Sequence, residues 1–418
     1  MENYNEIKIN FEKFINTFET DDNDLEFRKK SFANFISKGF PVSRDENWKY
    51  SPLVQDLKKF SQLNYKKSNP NANVLPNALL ENFEHYSIIF VDGVLILTDI
   101  NDAGLAIKKN SSFLKSVKKA GENPILNLNN AFADQGYLIE VSSNINLTKP
   151  IVIYNYYSKN FLSSFCSSKN FILLNEKSNV VIYEKTIYDS SIEYLITSNT
   201  EIFLAKGSKL KKYDLNCNNK HSTIFNFVKA NLDENSELEY FTFSENINSC
   251  RDESIINLNG KNSFADVNAI QLLRNNCNHE IKLQINHNEE CTRSSQFVKS
   301  ALYDSANAIF QGKIFVDSKA QKTDGYQLSR ALLLSDNVKF FAKPELEIYA
   351  DDVKCSHGSS SGSVDEESIF YLRSRGISKE DAKMMMIKGF LGEVIEKITE
   401  DKFKNIFFEK LCHNSNDD

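Results

Sequence analysis

A weak repeat of about 28 residues constrains the fold of this chain more than any other feature. A serine followed two residues later by an apolar side chain recurs at Ser178, Ser208, Ser236 and Ser263. These serines advance by 30, 28 and 27 residues, and three of the four segments then reach a tyrosine. This spacing suits one coil of a solenoid, in which strands and turns alternate and each coil stacks on the one before.

The sequence between residues 86 and 349 favours strands. Short segments rich in Val, Ile, Tyr and Phe are separated by Asn, Ser, Asp and Gly, and beyond Pro150 no helical period interrupts them. The segment SIIFVDGVLIL predicts a β-hairpin, because Asp92-Gly93 accepts the positive φ angles of a tight turn. A β-sandwich would repeat its turns every 8 to 12 residues or so and leave the longer recurrence unexplained. We therefore predict a mainly β chain built as a parallel β-helix.

Helical patterns flank the β region on both sides. Apolar residues recur every three or four positions from residue 5 to about residue 59, and again beyond Val364. Ser378 is a predicted N-cap, Gly376 a predicted C-cap, and Trp48 a predicted packing anchor. We predict an N-terminal helical region at 1–80, a β-helix core at 81–350, and a C-terminal loop and helical domain at 351–418. The C-terminal helices either cover the open end of the solenoid or bind a partner, and the methionine triplet at 384–386 favours a partner.

Composition excludes several function classes. There are 50 basic and 56 acidic residues, and a formal net charge of -6 provides no basic field for a nucleic-acid backbone. No basic start precedes an apolar run, and the most apolar stretch is broken by Asp92-Gly93, so we expect neither export nor a membrane span. Seven cysteines without a CxxC pair indicate no disulfide framework. We expect a cytoplasmic chain with mostly buried thiols.

The segment DDVKCSHG contains the strongest candidate for a chemical site. If it is extended, Cys355 and His357 lie on the same face. Thiolate and imidazole suit iron or an iron–sulfur cluster, but two ligands are half of the usual set, so the others would come from elsewhere, including another chain. The alternatives are a small buried cysteine and a Cys–His nucleophile, although no orienting carboxylate is evident. Asp351 and Asp352 are adjacent and would point in opposite directions, which disfavours a glycosidase pair.

A second group of cysteines and histidines stays without an assigned role. Cys277 and His279 have the same spacing as Cys355 and His357, and they precede His287 and Cys291. The spacing lacks the usual pattern of a zinc site, and a histidine in a strand is more often held structurally. We treat this group as secondary.

Several long segments resemble the SufD-type members of the SufB/SufD family of iron–sulfur cluster assembly proteins. The segments are KPELEIYADDVKCSHG at 343–358, DEESIFYLRSRGIS at 365–378, ENWKYSPL at 46–53, AQKTDGYQLSRALLLSD at 320–336 and GFLGEV at 389–394. SufB-type chains carry a cysteine in the strand that corresponds to GYQLSRALLL, and this chain has none there. The resemblance is therefore to the SufD type. Family members often have Ala-Thr-Val-Gly after CSHG, whereas this chain has a serine-rich segment at 359–362, which we expect to be a looser loop.

The resemblance implies a right-handed parallel β-helix and a scaffold that is not an enzyme. It further implies a heterodimer with a SufB-like paralogue through the β-helices, and an ATPase of the SufC type bound by the C-terminal helices. His357, with Cys355 beside it, would contribute to a transient cluster or iron site shared with the partner, and nothing would be stably bound by the chain alone. The residues predicted to bind the ATPase are Ile369, Tyr371, Leu372, Arg373, Met386 and Phe390.

Two other classes of function stay open at this point. The first is a carbohydrate-active enzyme on a β-helix, which would need a carboxylate cluster on one face of the solenoid. The second is a structural solenoid that associates with its own copies through the solenoid edge. A stable complex with SufB-like and SufC-like proteins would separate the scaffold from both.

Overall fold

The computed structural model describes residues 4–17, 22–62, 79–99, 104–109, 123–159, 161, 163–189 and 193–413. The helices of the described residues are α1 Asn5–Thr17, α2 Asp22–Lys38, α3 Leu53–Lys58, α4 Pro124–Phe132, α5 Glu366–Ser374, α6 Lys379–Ile395 and α7 Asp401–His413. The strands are β1 Tyr86–Val91, β2 Val94–Asp99, β3 Leu105–Lys109, β4 Tyr137–Val141, β5 Ile151–Tyr157, β6 Phe165–Leu174, β7 Asn179–Tyr188, β8 Tyr194–Leu204, β9 Lys209–Leu232, β10 Glu237–Leu258, β11 Phe264–Leu273, β12 Asn278–His287, β13 Arg293–Leu302, β14 Asn307–Val316, β15 Thr323–Leu333, β16 Lys339–Ile348 and β17 Val353–Gly362.

The strands wind into a β-solenoid of about seven turns, which confirms the predicted fold class. One face stacks β5, β7, β9, β10, β11, β13, β15 and β17 in parallel. The other stacks β4, β6, β8, β9, β10, β12, β14 and β16, and the long strands β9 and β10 belong to both faces. Along the first face, residues paired in neighbouring coils from β5 onward are 27 to 31 positions apart. Residues one repeat apart therefore lie directly above one another.

The recurring serines mark one corner of each coil. Each buried hydroxyl donates a hydrogen bond of 2.6 to 2.8 Å to the carbonyl three residues earlier, at Ser178, Ser208, Ser236 and Ser263. The residue before each serine has a positive φ angle, as a tight corner requires. Thr292 and Thr323 continue the series with the same hydrogen bond. The corner therefore recurs beyond the four serines, because threonine supplies the same hydroxyl.

The predicted hairpin is confirmed. Strands β1 and β2 pair antiparallel, and the turn residues Asp92 and Gly93 have φ angles of 52° and 81°. Two positive φ angles match the right-handed twist of the flanking strands. Strand β1 also pairs in parallel with β5, so the hairpin attaches to the solenoid at its N-terminal end.

The N-terminal helices pack against the solenoid through Trp48. The indole is buried and stacks on Phe225 of β9 at a ring-centroid distance of 6.2 Å. Trp48 and Phe225 belong to an apolar cluster in which Phe132, at the end of α4, contacts Phe11 and Phe14 of α1. The anchoring role predicted for Trp48 is confirmed, whereas the sequence analysis did not find α4 inside the predicted β region.

The C-terminal helices cover a flank of the solenoid rather than its open end. Residues of α6 and α7, including Leu391, Phe403 and Phe407, are buried against outward-facing aromatic side chains of the first face. Tyr213 of β9 and Phe241 of β10 contact the Phe407 ring at centroid distances of 6.5 and 4.7 Å. Of the two alternatives for these helices, covering the open end does not match the structure, because the apolar surface they bury lies along the side of the coils.

Residues 353–362 form strand β17 and not the loop that the sequence analysis expected. This strand pairs in parallel with β15 from Val353 to Gly362. The serine-rich sequence has a low intrinsic preference for strands, but a neighbouring strand in register supplies the backbone partners. The expected loop at 359–362 is thus corrected, and Cys355 and His357 lie within regular structure.

Candidate functional site at the last coil

Strands β16 and β17 form the last coil of the solenoid. They pair with β14 and β15 on one side, and no described strand pairs with their other edges. Such an edge presents unpaired N–H and C=O groups that can accept a further strand or a second chain. The coil end is therefore the place where this solenoid can continue into another molecule.

Cys355 and His357 point toward the solenoid interior at this open end. Their register partners in β15 are Gly325 and Gln327, and both partners are buried. Alternate residues of a strand share a face, and Cys355 and His357 do so in β17, as expected for an extended segment. The half-buried Cys355 packs against Ile314, whereas His357 is exposed. The His357 imidazole is accessible to solvent, whereas the Cys355 thiol is partly covered.

The environment of Cys355 raises the pKa of its thiol. Burial raises the pKa of this thiol above its ordinary value, and the neighbouring Asp324 carboxylate adds to that effect. A hydrogen bond with the backbone of Gly325 acts in the opposite direction and is outweighed. Metal binding at this position would therefore release a proton.

Gln327 lies directly beneath His357 and has unused hydrogen-bonding capacity. Both its amide oxygen and its amide nitrogen are buried without a hydrogen-bond partner among the described residues. A buried amide without partners costs free energy, so a ligand above the coil that accepts or donates hydrogen bonds would be stabilised here. The Gln327 amide is thus available to hydrogen bond with a polar group placed above it on the last coil.

The six residues predicted to bind a partner divide into two groups. Tyr371 and Arg373 are exposed on α5. Ile369 is 3% exposed, and Leu372 and Met386 pack with it where α5 meets α6. These three support the position of α5 rather than form its surface.

The remaining predicted residue is Phe390, which packs in the apolar cluster between α6, α7 and the flank of the solenoid. The Lys299 ammonium nitrogen lies 4.2 Å from the centroid of its ring. Phe370, which was not among the predicted residues, is 72% exposed, and Met385 of the methionine triplet is 51% exposed. Helical spacing alone could have found Phe370, because it lies one position from buried Ile369 and so on a different side of α5. With the exposed Tyr371 beside it, Phe370 makes α5 an apolar projection of the C-terminal region.

The second group of cysteines and histidines does not form a single site. Cys277 packs in an apolar cluster with Leu273, and Cys291 occupies a corner with a φ angle of 59°. His279 pairs through Nε2 with a carboxylate oxygen of Asp252 at 2.7 Å. His287 is held by hydrogen bonds of 2.8 Å with the Thr292 and Ser294 hydroxyls.

The sequence analysis also missed a cluster formed by Cys250, Asp252 and His279. Cys250 and His279 are 29 residues apart in the sequence, which is one coil of the solenoid, and they are register partners in β10 and β12. The signal that could have found them is therefore the repeat length itself, applied to ligand residues as well as to serines.

The buried His287 predicts a pH-dependent stability. Burial lowers its pKa from 6.5 to about 4, so the unfolded chain binds this proton at a higher pH than the folded chain does. Stability is therefore lost as the pH falls from 6.5 through about 4, and this residue accounts for about 3 kcal/mol of the loss. We expect urea unfolding at several pH values to show this share of the slope removed in His287→Gln. His221→Gln, a substitution at an exposed position, should keep the wild-type slope, and an unchanged slope in His287→Gln would count against the prediction.

No helix in the described ranges has both the length and the apolar composition that a transmembrane segment requires.

Comparisons with known proteins match most of the chain. The profile of the family described as "SUF system FeS cluster assembly, SufBD core domain" matches residues 157–390. The iron-sulfur cluster assembly protein SufD of Escherichia coli (strain K12) is 28% identical over 385 residues, which span 90% of this chain and 89% of that protein. SufD of Bacillus subtilis (strain 168) is 25% identical over 323 residues, or 77% of this chain and 72% of that protein. A SufBD family protein of Synechocystis is 23% identical over 406 residues, or 91% and 88% of the two chains.

Proposed function

The chain belongs to the SufBD core family of SUF-system iron–sulfur cluster assembly proteins, and from this premise we propose that it is a SufD-type scaffold subunit of a cytoplasmic assembly complex. In this proposal it pairs with a SufB-like solenoid and binds a SufC-like ATPase. It has no catalytic role of its own. The observation that carries the proposal is the open last coil, where a thiol and an imidazole face the end at which a second chain can attach.

The proposed cluster site is shared between two chains. His357 is exposed and supplies an imidazole nitrogen, and Cys355 supplies a thiolate after it loses its proton. Clusters take four protein ligands as a rule, so the partner would supply the others. An incomplete set of ligands suits a scaffold, because a cluster held partly by each of two subunits can be released when the subunits move apart.

Exposed apolar side chains near the last coil support pairing with a second solenoid. Tyr326 of β15 and the neighbours Ile348 and Tyr349 are 48%, 38% and 61% exposed. Phe341 of β16 is 42% exposed and stacks on Tyr50. A large aromatic residue at a subunit interface contributes strongly to affinity when the partner excludes water from it. These residues and the strand edges together would form the contact with the SufB-like chain.

The ATPase contact is proposed at α5. Asp365 caps this helix by accepting hydrogen bonds from the backbone N–H groups of Glu367 and Ser368. Phe370 and Tyr371 project from the helix, and the Arg375 guanidinium lies 5.2 Å from the Tyr371 ring centroid. Helix α5 therefore presents two aromatic rings with basic residues beside them, a combination typical of interface anchors.

Substitution of the two exposed rings should separate ATPase binding from folding. In the double variant Phe370→Ser and Tyr371→Ser, we expect affinity for the SufC-like ATPase to fall about thirtyfold, because the loss of an anchor costs 2 kcal/mol or more. Titration calorimetry with the purified ATPase measures the effect. Deletion of residues 365–418 is a poorer test, because it would also expose the flank that α6 and α7 cover.

Tyr349→Ser provides the matched control for this experiment. Tyr349 is about as exposed as Tyr371 but lies in the surface proposed to pair with the SufB-like chain. Its removal should therefore leave ATPase binding unchanged and weaken pairing with the SufB-like chain. Full ATPase affinity in the α5 double variant would place the docking surface elsewhere. A chain that copurifies with neither subunit from a co-expression experiment would contradict the scaffold function itself.

A further inference from the structure

The geometry points to a second metal site, inside the solenoid and away from the last coil. We propose that Cys250, Asp252 and His279 bind one divalent transition-metal ion of the class that includes Zn²⁺ and Fe²⁺. This inference does not depend on the proposed scaffold function, since it uses neither Cys355 nor His357. These three residues form the interior triad.

The parallel register brings the interior triad together. Cys250 of β10 and His279 of β12 are paired residues in adjacent coils, and Asp252 lies two positions along β10, on the same interior face as Cys250. One ligand atom from each residue lies within 4.8 Å of the other two. Small side-chain rotations would bring three such atoms to the 2.0 to 2.3 Å or so of zinc coordination bonds.

The ligand chemistry of the triad is specific to transition metals. It offers one sulfur, one imidazole nitrogen and one carboxylate oxygen, a mixture that suits borderline ions such as Zn²⁺ and Fe²⁺ better than Mg²⁺ or Ca²⁺. The imidazole also has a free donor or acceptor position, because its Nδ1 is buried without a hydrogen-bond partner among the described residues. A buried nitrogen in that state costs free energy, and a cation bound at Nδ1 would remove the cost.

Neighbouring residues hold the carboxylate in place. The Asn226 side-chain amide donates to Oδ1 of Asp252 at 2.8 Å, while His279 Nε2 contacts Oδ2 of the same group. Partners of this kind orient metal ligands and commonly raise affinity. The nearest basic residue of the same strand, Arg251, faces the other side of β10 and pairs with Glu280 and Glu253, so it does not compete for Asp252.

A polar cavity reaches Asp252 of the triad and has room for a water ligand. The cavity has a volume of about 70 Å³ and is lined by Asp252 and Asn226 together with Tyr188, Asp214 and Lys212. A water molecule needs roughly 10 to 15 Å³ of such space. Three protein ligands plus one water is the pattern of sites that keep an exchangeable position, whereas structural zinc sites are closed by four protein ligands.

Ion binding is balanced by the loss of one proton. The Cys250 thiol gives up its S–H proton to solvent and forms a sulfur–metal bond, while Asp252 binds as a carboxylate and His279 as neutral imidazole. No oxidant or reductant takes part. Binding should therefore acidify a weakly buffered solution by about one proton for each ion bound.

Cobalt titration of the purified full-length chain tests the site. Co²⁺ is a spectroscopic substitute for Zn²⁺, and a sulfur ligand produces a thiolate-to-cobalt charge-transfer band in the near ultraviolet. We expect one equivalent of Co²⁺ to produce this band and Zn²⁺ to displace it. Cys250→Ser should lose the band, and Asp252→Asn and His279→Gln should weaken binding at least about tenfold.

Two cysteine variants serve as controls. Cys277→Ala alters a buried cysteine outside the triad, and Cys355→Ala alters the last coil, so both should retain the band. Circular dichroism of the metal-free variants shows which ones fold, and Asp252→Asn carries the test if Cys250→Ser does not. The absence of a band in the wild-type chain overturns the proposal, as does a band that survives in Cys250→Ser and disappears in Cys355→Ala.

Discussion

Replacement of His357 by alanine is expected to lower the rate of cluster formation in the reconstituted three-protein complex about tenfold or more. Loss of a ligand should cost at least as much as loss of a residue that merely orients one, for which reductions of about 10- to 100-fold are typical. The side chain is exposed at the open rim, so its removal leaves no cavity and should not affect folding or assembly. The appearance of iron–sulfur absorbance, with complex formation followed by size-exclusion chromatography, measures both quantities.

His221→Ala is the matched control, since this histidine is also exposed but lies in β9, away from the last coil. It should form clusters at the wild-type rate. Cys355→Ala should slow cluster formation without abolishing it, because His357 still supplies one ligand. An unchanged rate in His357→Ala, with the complex intact, would contradict the assigned role.

Replacement of Arg251 by methionine is expected to destabilise the chain by about 3 to 5 kcal/mol. The guanidinium is fully buried and pairs with Glu280, which is equally buried, and with Glu253. Methionine fills a similar volume but leaves these carboxylates buried without their cation. Urea unfolding measures the loss of free energy.

The same variant should loosen the N-terminal helices. Arg251 donates to the backbone carbonyl of Asn47, and its guanidinium carbon lies 4.0 Å from the Trp48 ring centroid. Trp48 is the single tryptophan of the chain, so its fluorescence reports directly on this contact, and we expect a red shift in Arg251→Met. Lys209→Met breaks a pair with Glu237 in which both side chains are about half exposed, and it should change neither signal measurably. A free energy of unfolding within about 1 kcal/mol of wild type in Arg251→Met would contradict the account.

The coils of the solenoid could be predicted because their corners use local chemistry. A serine hydroxyl that bonds three residues back, after a residue with positive φ, leaves a mark at each corner that a single sequence reveals. The common direction of Cys355 and His357 followed from simple alternation once the segment was taken as a strand. Helix ends were equally local, since Ser378 caps α6 as predicted through its hydrogen bond with the Asp381 N–H group.

Features that depend on distant neighbours could not be predicted in the same way. The segment at 359–362 has the composition of a loop, but β15 holds it as a strand. Helix α4 is nine residues long, carries three asparagines, and is stabilised by the Asn123 cap and by packing on the N-terminal helices. The tail helices showed apolar stripes, yet nothing in the stripes indicated that the matching surface lies along the flank of the coils.

In the proposed complex, a histidine of this chain ligates the cluster at the rim of the last coil. Pulsed electron paramagnetic resonance of the reduced cluster, in a complex where only this chain carries isotopically labelled histidine, tests that claim directly. We predict a hyperfine coupling to the labelled nitrogen that disappears in the His357→Ala complex. A cluster that forms at the normal level and shows no coupling to the labelled nitrogen would contradict it.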